Sequence, residues 1–253
     1  MATKPQAGIV KFRLSEIPNL STKVWDKVGL IGGFTWDVPE NWKKVENIIG
    51  KTECDKVVNI QNSTIRNREI RKLISPYLKN GDTQQKKELA DWVIYNWGKI
   101  TKGRESSADW TTLFEDYRLE KIVEFVNGKK NDRIASWSKV LAFADMETYA
   151  VYDAWTALAL NSILDEIGYV NRFYMPPPRA EELPIIAKKM REYMTEKFKG
   201  TRKKYMGYFD YMELLHAIVK ETNAIDVLDA EMHIFANGER LCRQYANKHN
   251  IAY

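Results

Sequence analysis

The sequence predicts a mainly α-helical fold, on two observations. From residue 63 onward apolar residues recur at spacings of three and four, and glycines and capping residues punctuate those runs where helices should begin and end. Ser63 opens the first run, which carries Ile70, Leu73, Ile74 and Tyr77. Lys79-Asn80-Gly81-Asp82-Thr83 reads as a turn followed by a new N-cap. The next helix carries Leu89, Trp92, Val93 and Trp97 and stops near Gly98. A polar loop from Lys102 to Asp109 leads to a helix with Leu113, Leu119, Ile122, Val123 and Val126, ending at Gly128. Two helices follow, over Ile134 to Ala144 and over Asp153 to Ile167. Met175-Pro176-Pro177-Pro178 is a stiff connector, because proline fixes its own φ and restrains the residue before it. Helical patterns resume over 181–198, 209–221 and 225–236, the last with Ile225, Leu228, Met232 and Phe235. Only the start resists this reading: Pro18, Gly29, Gly32, Gly33, Pro39 and three tryptophans predict an irregular, packed segment over 1–62, with a short strand at Ile9 to Leu14. The expected organisation is one compact helical unit, with a helical lobe over 63–175 and C-terminal helices over 179–253.

Composition narrows the function classes. A chain of 253 residues, 44% apolar and 29% charged, can bury a full core. No stretch approaches the roughly 18 apolar residues that span a bilayer, and the opening MATKPQAGIVKFRL has no hydrophobic leader core, so a cytoplasmic protein without a membrane partner is expected. Cys54 and Cys242 stand far apart with no CxxC near either, which argues against zinc, iron–sulfur or disulfide frameworks. His216, His233 and His249 are too scattered to form a recognisable ligand set, so no metal is expected. P-loop, GxGxxG and GxSxG signatures are missing from the sequence, which removes the readings that depend on them. A net charge of +5 permits a nucleic-acid partner without requiring one.

The segment SWSKVLAFADMETYAVYDAWTALAL, residues 136 to 160, carries the chemistry. Asp153 stands where an apolar extended piece, Tyr149-Ala150-Val151-Tyr152, turns into a helix. An aspartate there caps the helix by accepting from an orphan N–H two or three residues on. The helix N-terminus in turn favours the carboxylate form. An ionised carboxylate among aromatic walls can stabilise a developing oxocarbenium ion or orient a water, the two tasks in breaking a glycosidic bond.

Ser138-Lys139-Val140, a loop, and Val151-Tyr152-Asp153 resemble the active-site segment of the helix-hairpin-helix superfamily of DNA glycosylases. The resemblance covers about 35 residues, the active-site segment 129–161. It implies a two-lobed helical glycosylase-like fold, a base flipped into the cleft between the lobes and no cofactor. It also implies Asp153 as the catalytic carboxylate and Lys139 as a candidate nucleophile. A narrower likeness is to bacterial anti-phage glycosylases of that superfamily, which remove glucosylated hydroxymethylcytosine from phage DNA. The chain departs from the family pattern at two places. Where the family has a Gly-x-Gly hairpin holding a phosphate, this chain has Gly128-Lys129-Lys130-Asn131-Asp132-Arg133-Ile134-Ala135, so Lys129, Lys130 and Arg133 would hold phosphate by charge. The 14-residue interval from Lys139 to Asp153 is about one helical turn shorter than the family's. That favours a water nucleophile and an intact abasic product, with Lys139 as a support or an exposed helix lysine.

Further basic residues extend the expected DNA surface. Lys188 to Lys204 holds eight Lys/Arg against two Glu, and its second half, with Lys199, Arg202, Lys203 and Lys204, has no acid. A second cluster is RNREIRK, residues 66 to 72. Most charge runs are solvated helix faces, but a basic loop also grips phosphates. Tyr152, Trp155, Trp137 and Trp97 are candidates to stack on an extruded base, although core packing is the usual role at their helical spacing. The expected partner is double-stranded, phage-modified DNA, bound by a monomer. The alternatives are a non-catalytic helical nucleic-acid binder, which the basic clusters fit equally, and a helical protein-interaction module, in which Asp153 is only a cap.

Overall fold

The computed structural model describes residues 19–29, 35–36, 41–99, 133–169, 171–176, 185–190, 192 and 205–252. Helices dominate them: α1 (Leu20–Val28), α2 (Lys43–Ile49), α3 (Lys51–Val58), α4 (Ser63–Asn80), α5 (Thr83–Asp91), a π-helical turn (Trp92–Trp97), α6 (Ile134–Ala144), α7 (Ala154–Glu166), α8 (Tyr208–Glu221), α9 (Val227–Ala236) and α10 (Gly238–Lys248). Residues 185–190 are helical as well. The strands described are two residues each, β1 (Arg172–Phe173) pairing in parallel with β2 (Tyr205–Met206).

Local chemistry places most boundaries. Asn62 rather than Ser63 caps α4, its side chain accepting from Ile65 N. Asp82 and Gln85 form a capping box at the start of α5. The π-helical turn continues α5 without a break and ends at Gly98, a widened turn of the kind that recurs at functional sites. Ile225 lies outside its expected helix: Asp226 caps α9, and Ile225 before it is 78% exposed.

The expected irregular segment over 1–62 is corrected. Among its described residues three helices stand, and α1 buries Leu20, Val24, Trp25 and Val28 on one face. Those spacings are helical, but the surrounding glycines, prolines and tryptophans mask a run of only nine residues. Gly50, at φ 104°, separates α2 from α3 in a backbone conformation that side-chain-bearing residues disfavour. The helix α10 falls within the expected C-terminal helices over 179–253, and buries Leu241, Cys242, Tyr245 and Ala246 on one face. The expected strand at Ile9 to Leu14, the helix with Leu113 to Val126 and much of 181–198 lie outside the described residues.

The helix α7 is the axis of the packing. It buries Thr156 through Asp165 without interruption, the pattern of a helix surrounded on all sides. Helices α10, α9 and α1 and strand β1 pack on it, while α4 and the π-helical turn pack on α6. Leu160 is fully buried. Leu160→Ala should therefore cost about 2–5 kcal/mol, read as a fall in the urea midpoint; a cost under about 0.5 kcal/mol, the usual size of a surface change, would contradict this central placement.

Candidate active site

The last turn of α6 and the first residues of α7 are joined by a loop whose polar backbone is closely accounted for. The Ala144 carbonyl accepts from Ser75 Oγ at 2.6 Å. Asp145 Oδ1 accepts from the amides of Glu147 and Thr148, making the turn. The Ala150 carbonyl accepts from the Tyr208 hydroxyl at 2.9 Å. Val151 N–H donates to Glu231 Oε2 at 2.8 Å. Ser138 Oγ both accepts from Tyr152 N at 2.9 Å and donates to Tyr152 O at 3.2 Å. The Tyr152 hydroxyl donates to the Tyr174 carbonyl. Buried backbone groups need partners, and here side chains from four other elements supply them. The loop is therefore held, and Asp153 with it.

Asp153 caps α7 as expected, its Oδ1 accepting from Thr156 N at 3.1 Å. Its other oxygen, Oδ2, lies 3.7 Å from Lys139 Nζ. The two candidate catalytic residues thus meet despite the short interval between them. Ser138, next to Lys139, latches Tyr152, next to Asp153, and so closes the loop on itself. Lys139 is not an exposed helix lysine: its side chain is 4% exposed and that of Asp153 is 18% exposed. Lys139 Nζ also donates to the Ala135 carbonyl at 2.9 Å. Its stem lies against Gly98 at the end of the π-helical turn, where a Cβ would come within 2.8 Å of Lys139 Cδ. Gly98 leaves the room that the lysine occupies.

Burial pulls the pKa of Lys139 below the ordinary lysine range, against the opposing pull of the Asp153 charge beside it. The buried ion pair of Arg71 and Glu231 stands behind this site. Arg71 meets both Glu231 oxygens, at 2.9 and 2.6 Å, and its guanidinium stacks over the rings of Trp97 and Phe143 at 5.5 and 5.3 Å. Tyr211 packs on Tyr152 with ring centroids 5.1 Å apart. Its hydroxyl is buried with no hydrogen-bond partner among the described residues.

No family model, no curated protein and no solved structure matches this chain. The site is therefore read from its own geometry. Trp97, Trp137 and Tyr152 lie in the core, whereas Trp155, the second residue of α7, is half-buried. Trp155 rests against Gly238, where a Cβ would approach its ring to 3.3 Å.

The basic cluster at 66–72 is largely spent inside the protein. Arg71 is fully buried, Arg68 pairs with Asp226, Arg66 donates to the carbonyls of Ile60 and Trp36, and Lys72 pairs with Glu69. It does not offer the row of phosphate contacts that its charge suggested. Arg133 is half-buried just before α6. Lys129, Lys130, Lys199, Arg202, Lys203 and Lys204 lie outside the described residues. Among the described residues no group of three or more His, Cys, Asp or Glu could hold a metal, and no helix is long and apolar enough to cross a membrane. A groove of about 340 Å³ opens at the far end of α7. Lys27 pairs there with Glu166 and Lys248 with Asp165, and Arg240 donates to the Lys27 carbonyl, Asn237 and Gln244.

Sequence reasoning found Asp153 and Lys139 but missed Ser138, Arg71, Glu231, Tyr208 and Tyr211. The separation of Arg71 from Glu231, 160 positions, leaves no local signal.

The buried lysine sets a pH dependence. The folded protein releases the Lys139 proton at lower pH than the unfolded chain does. Between those two values the unfolded state holds more protons, so stability rises with pH there. Lys139→Met abolishes that slope. The stability of the natural protein relative to Lys139→Met, from urea unfolding, should therefore grow as pH rises toward the ordinary lysine value of about 10.4. A constant or shrinking difference would show that Lys139 titrates as a solvated lysine.

Proposed function

We propose that the chain is a DNA glycosylase that flips a modified base out of duplex DNA and hydrolyses its N-glycosidic bond at the Lys139–Asp153 site. The observation that carries the reading is the pair itself: a lysine buried with a depressed pKa, 3.7 Å from a carboxylate fixed at a helix N-terminus. Structural ion pairs also perturb pKa values. Here, however, the carboxylate keeps some exposure at the end of a pinned loop, and Trp155, two residues on, is half-buried. The resemblance of residues 138–153 to the glycosylase segment supports the same chemistry.

In this reading the flipped nucleotide presents C1′ to Asp153. The C1′–N bond breaks and its electron pair leaves with the base. Positive charge develops on the sugar, and the nearby carboxylate in a partly dry site stabilises it strongly. A water adds to C1′ and gives up a proton, so the products are the free base and an abasic site. Segment 136–160 forms one wall of a cleft between two helical lobes, and duplex DNA, such as phage DNA bearing glucosylated hydroxymethylcytosine, lies across it. The protein acts as a cytoplasmic monomer without a cofactor.

Asn caps helices about as well as Asp. Asp153→Asn keeps the cap but leaves Lys139 without its charged neighbour, so it should lower stability, while the folded variant still binds DNA and its base removal falls at least ~100-fold, a loss typical of a positioned catalytic group. Alkali cleavage of abasic sites reads the outcome, and full excision by the Asn variant would reduce Asp153 to a cap. Lys139 needs its own test, because a depressed pKa suits an amine nucleophile as well as a support. With water as nucleophile, borohydride should trap no protein–DNA adduct and strands should break only after alkali. Efficient trapping would instead assign the attack to Lys139.

A further inference from the structure

We propose that Arg71 and Glu231 are the positioning pair of the Lys139–Asp153 site: Glu231 holds the Val151 amide two residues before Asp153, and Arg71 holds Glu231 in the orientation that does so. The proposal rests on the reading of that site as the reacting centre. Neither residue touches the position assigned to the substrate.

The geometry is specific. Glu231 sits on α9 with its side chain 5% exposed, and Arg71 on α4 with its side chain 1% exposed. Two hydrogen bonds join them, and one of the same carboxylate oxygens, Oε2, also takes the Val151 N–H. A carboxylate bound at both oxygens by a planar guanidinium has its plane fixed. The guanidinium lies over both Trp97, on the π-helical turn, and Phe143, on α6, whose rings meet edge to face with centroids 4.9 Å apart. The chain of contact therefore starts on the helix that carries Lys139 and ends two residues from Asp153. Apolar side chains of similar volume could hold α4 to α9, since buried ion pairs are often dispensable for stability. An apolar pair would leave the Val151 amide without its acceptor.

The same pair acts on Lys139 by charge. The groups whose charge bears on that lysine are Asp153 from the loop, Glu231 from α9 and Arg71 from α4; the carboxylates favour its ammonium and the guanidinium disfavours it. Glu231 and Arg71 therefore oppose each other at Lys139. Removing one alone should move the lysine one way, and removing the other should move it the opposite way.

The titration of Lys139, followed by NMR of labelled lysine side chains and assigned by the peak lost in Lys139→Met, tests this. Glu231→Gln should lower the Lys139 pKa by at least about half a unit, and Arg71→Met should raise it by a similar amount, at the small end of shifts caused by neighbouring charges. A pair that merely holds the core together gives a different result: either variant lets water in, and both raise the pKa. A rise or no change in Glu231→Gln overturns the proposal. Where that variant does not fold, Arg71→Met with Glu231→Gln removes both charges and leaves the Gln oxygen to accept from Val151. It should keep Lys139 within about half a unit of its natural value, and a rise of more than about one unit overturns the proposal. A protein that titrates as expected yet removes no base keeps its positioning pair and loses the glycosylase reading.

Discussion

The buried pair of Arg71 and Glu231 is the constraint on which the rest of the site depends. It joins α4 to α9 inside the core, and it spends one carboxylate oxygen on the amide of Val151. Two unpaired charges at that depth would cost several kcal/mol each, so neither residue tolerates the loss of its partner. Because the pair fixes the carboxylate, the loop before Asp153 cannot drift without breaking the Val151–Glu231 hydrogen bond. Ser138 adds a second tether from α6 to Tyr152, and Tyr208 a third to Ala150. The carboxylate of Asp153 is thus fixed from behind by three elements, while its own oxygens are left to the cap of α7 and to Lys139.

That arrangement reconciles demands that usually conflict. A carboxylate acting on a cationic sugar must stay charged, keep its direction and have little water around it. The cap on Thr156 N and the pinned backbone keep the direction, and the buried residues of α6 and α7 around it leave the Asp153 side chain only 18% exposed. Lys139 balances the charge from among those residues, in the space left by Gly98. The π-helical turn that ends there is what brings Gly98 and Trp97 onto this side of α6 together.

Much of this was legible in the sequence, but only where the cause is local. The cap at Asp153, the bounds of α6 and the turn into α5 follow from residues within a few positions of one another, and the structure has them there. The three described helices before residue 59 were not legible, because each is only seven to nine residues long. Charge misled at 66–72, where Arg71 and Arg68 turn inward to Glu231 and Asp226. Composition counts a guanidinium without saying what it faces, and only a three-dimensional neighbour 158 or more positions away decides that. The burial of Lys139 is the same kind of fact. Its neighbours in sequence are apolar, yet what makes the site is a glycine on another helix and an aspartate beyond a loop.

The account's central claim is tested most directly by incubating the purified protein with duplex DNA carrying glucosylated hydroxymethylcytosine, beside a panel of unmodified, deaminated and alkylated duplexes. Mass spectrometry of the small-molecule fraction then shows which base, if any, has been released. The account predicts an intact free base from at least one modified duplex and an alkali-labile site left at the same position in the strand. Release of no base from any duplex, by a folded protein with Lys139 and Asp153 in place, would contradict it.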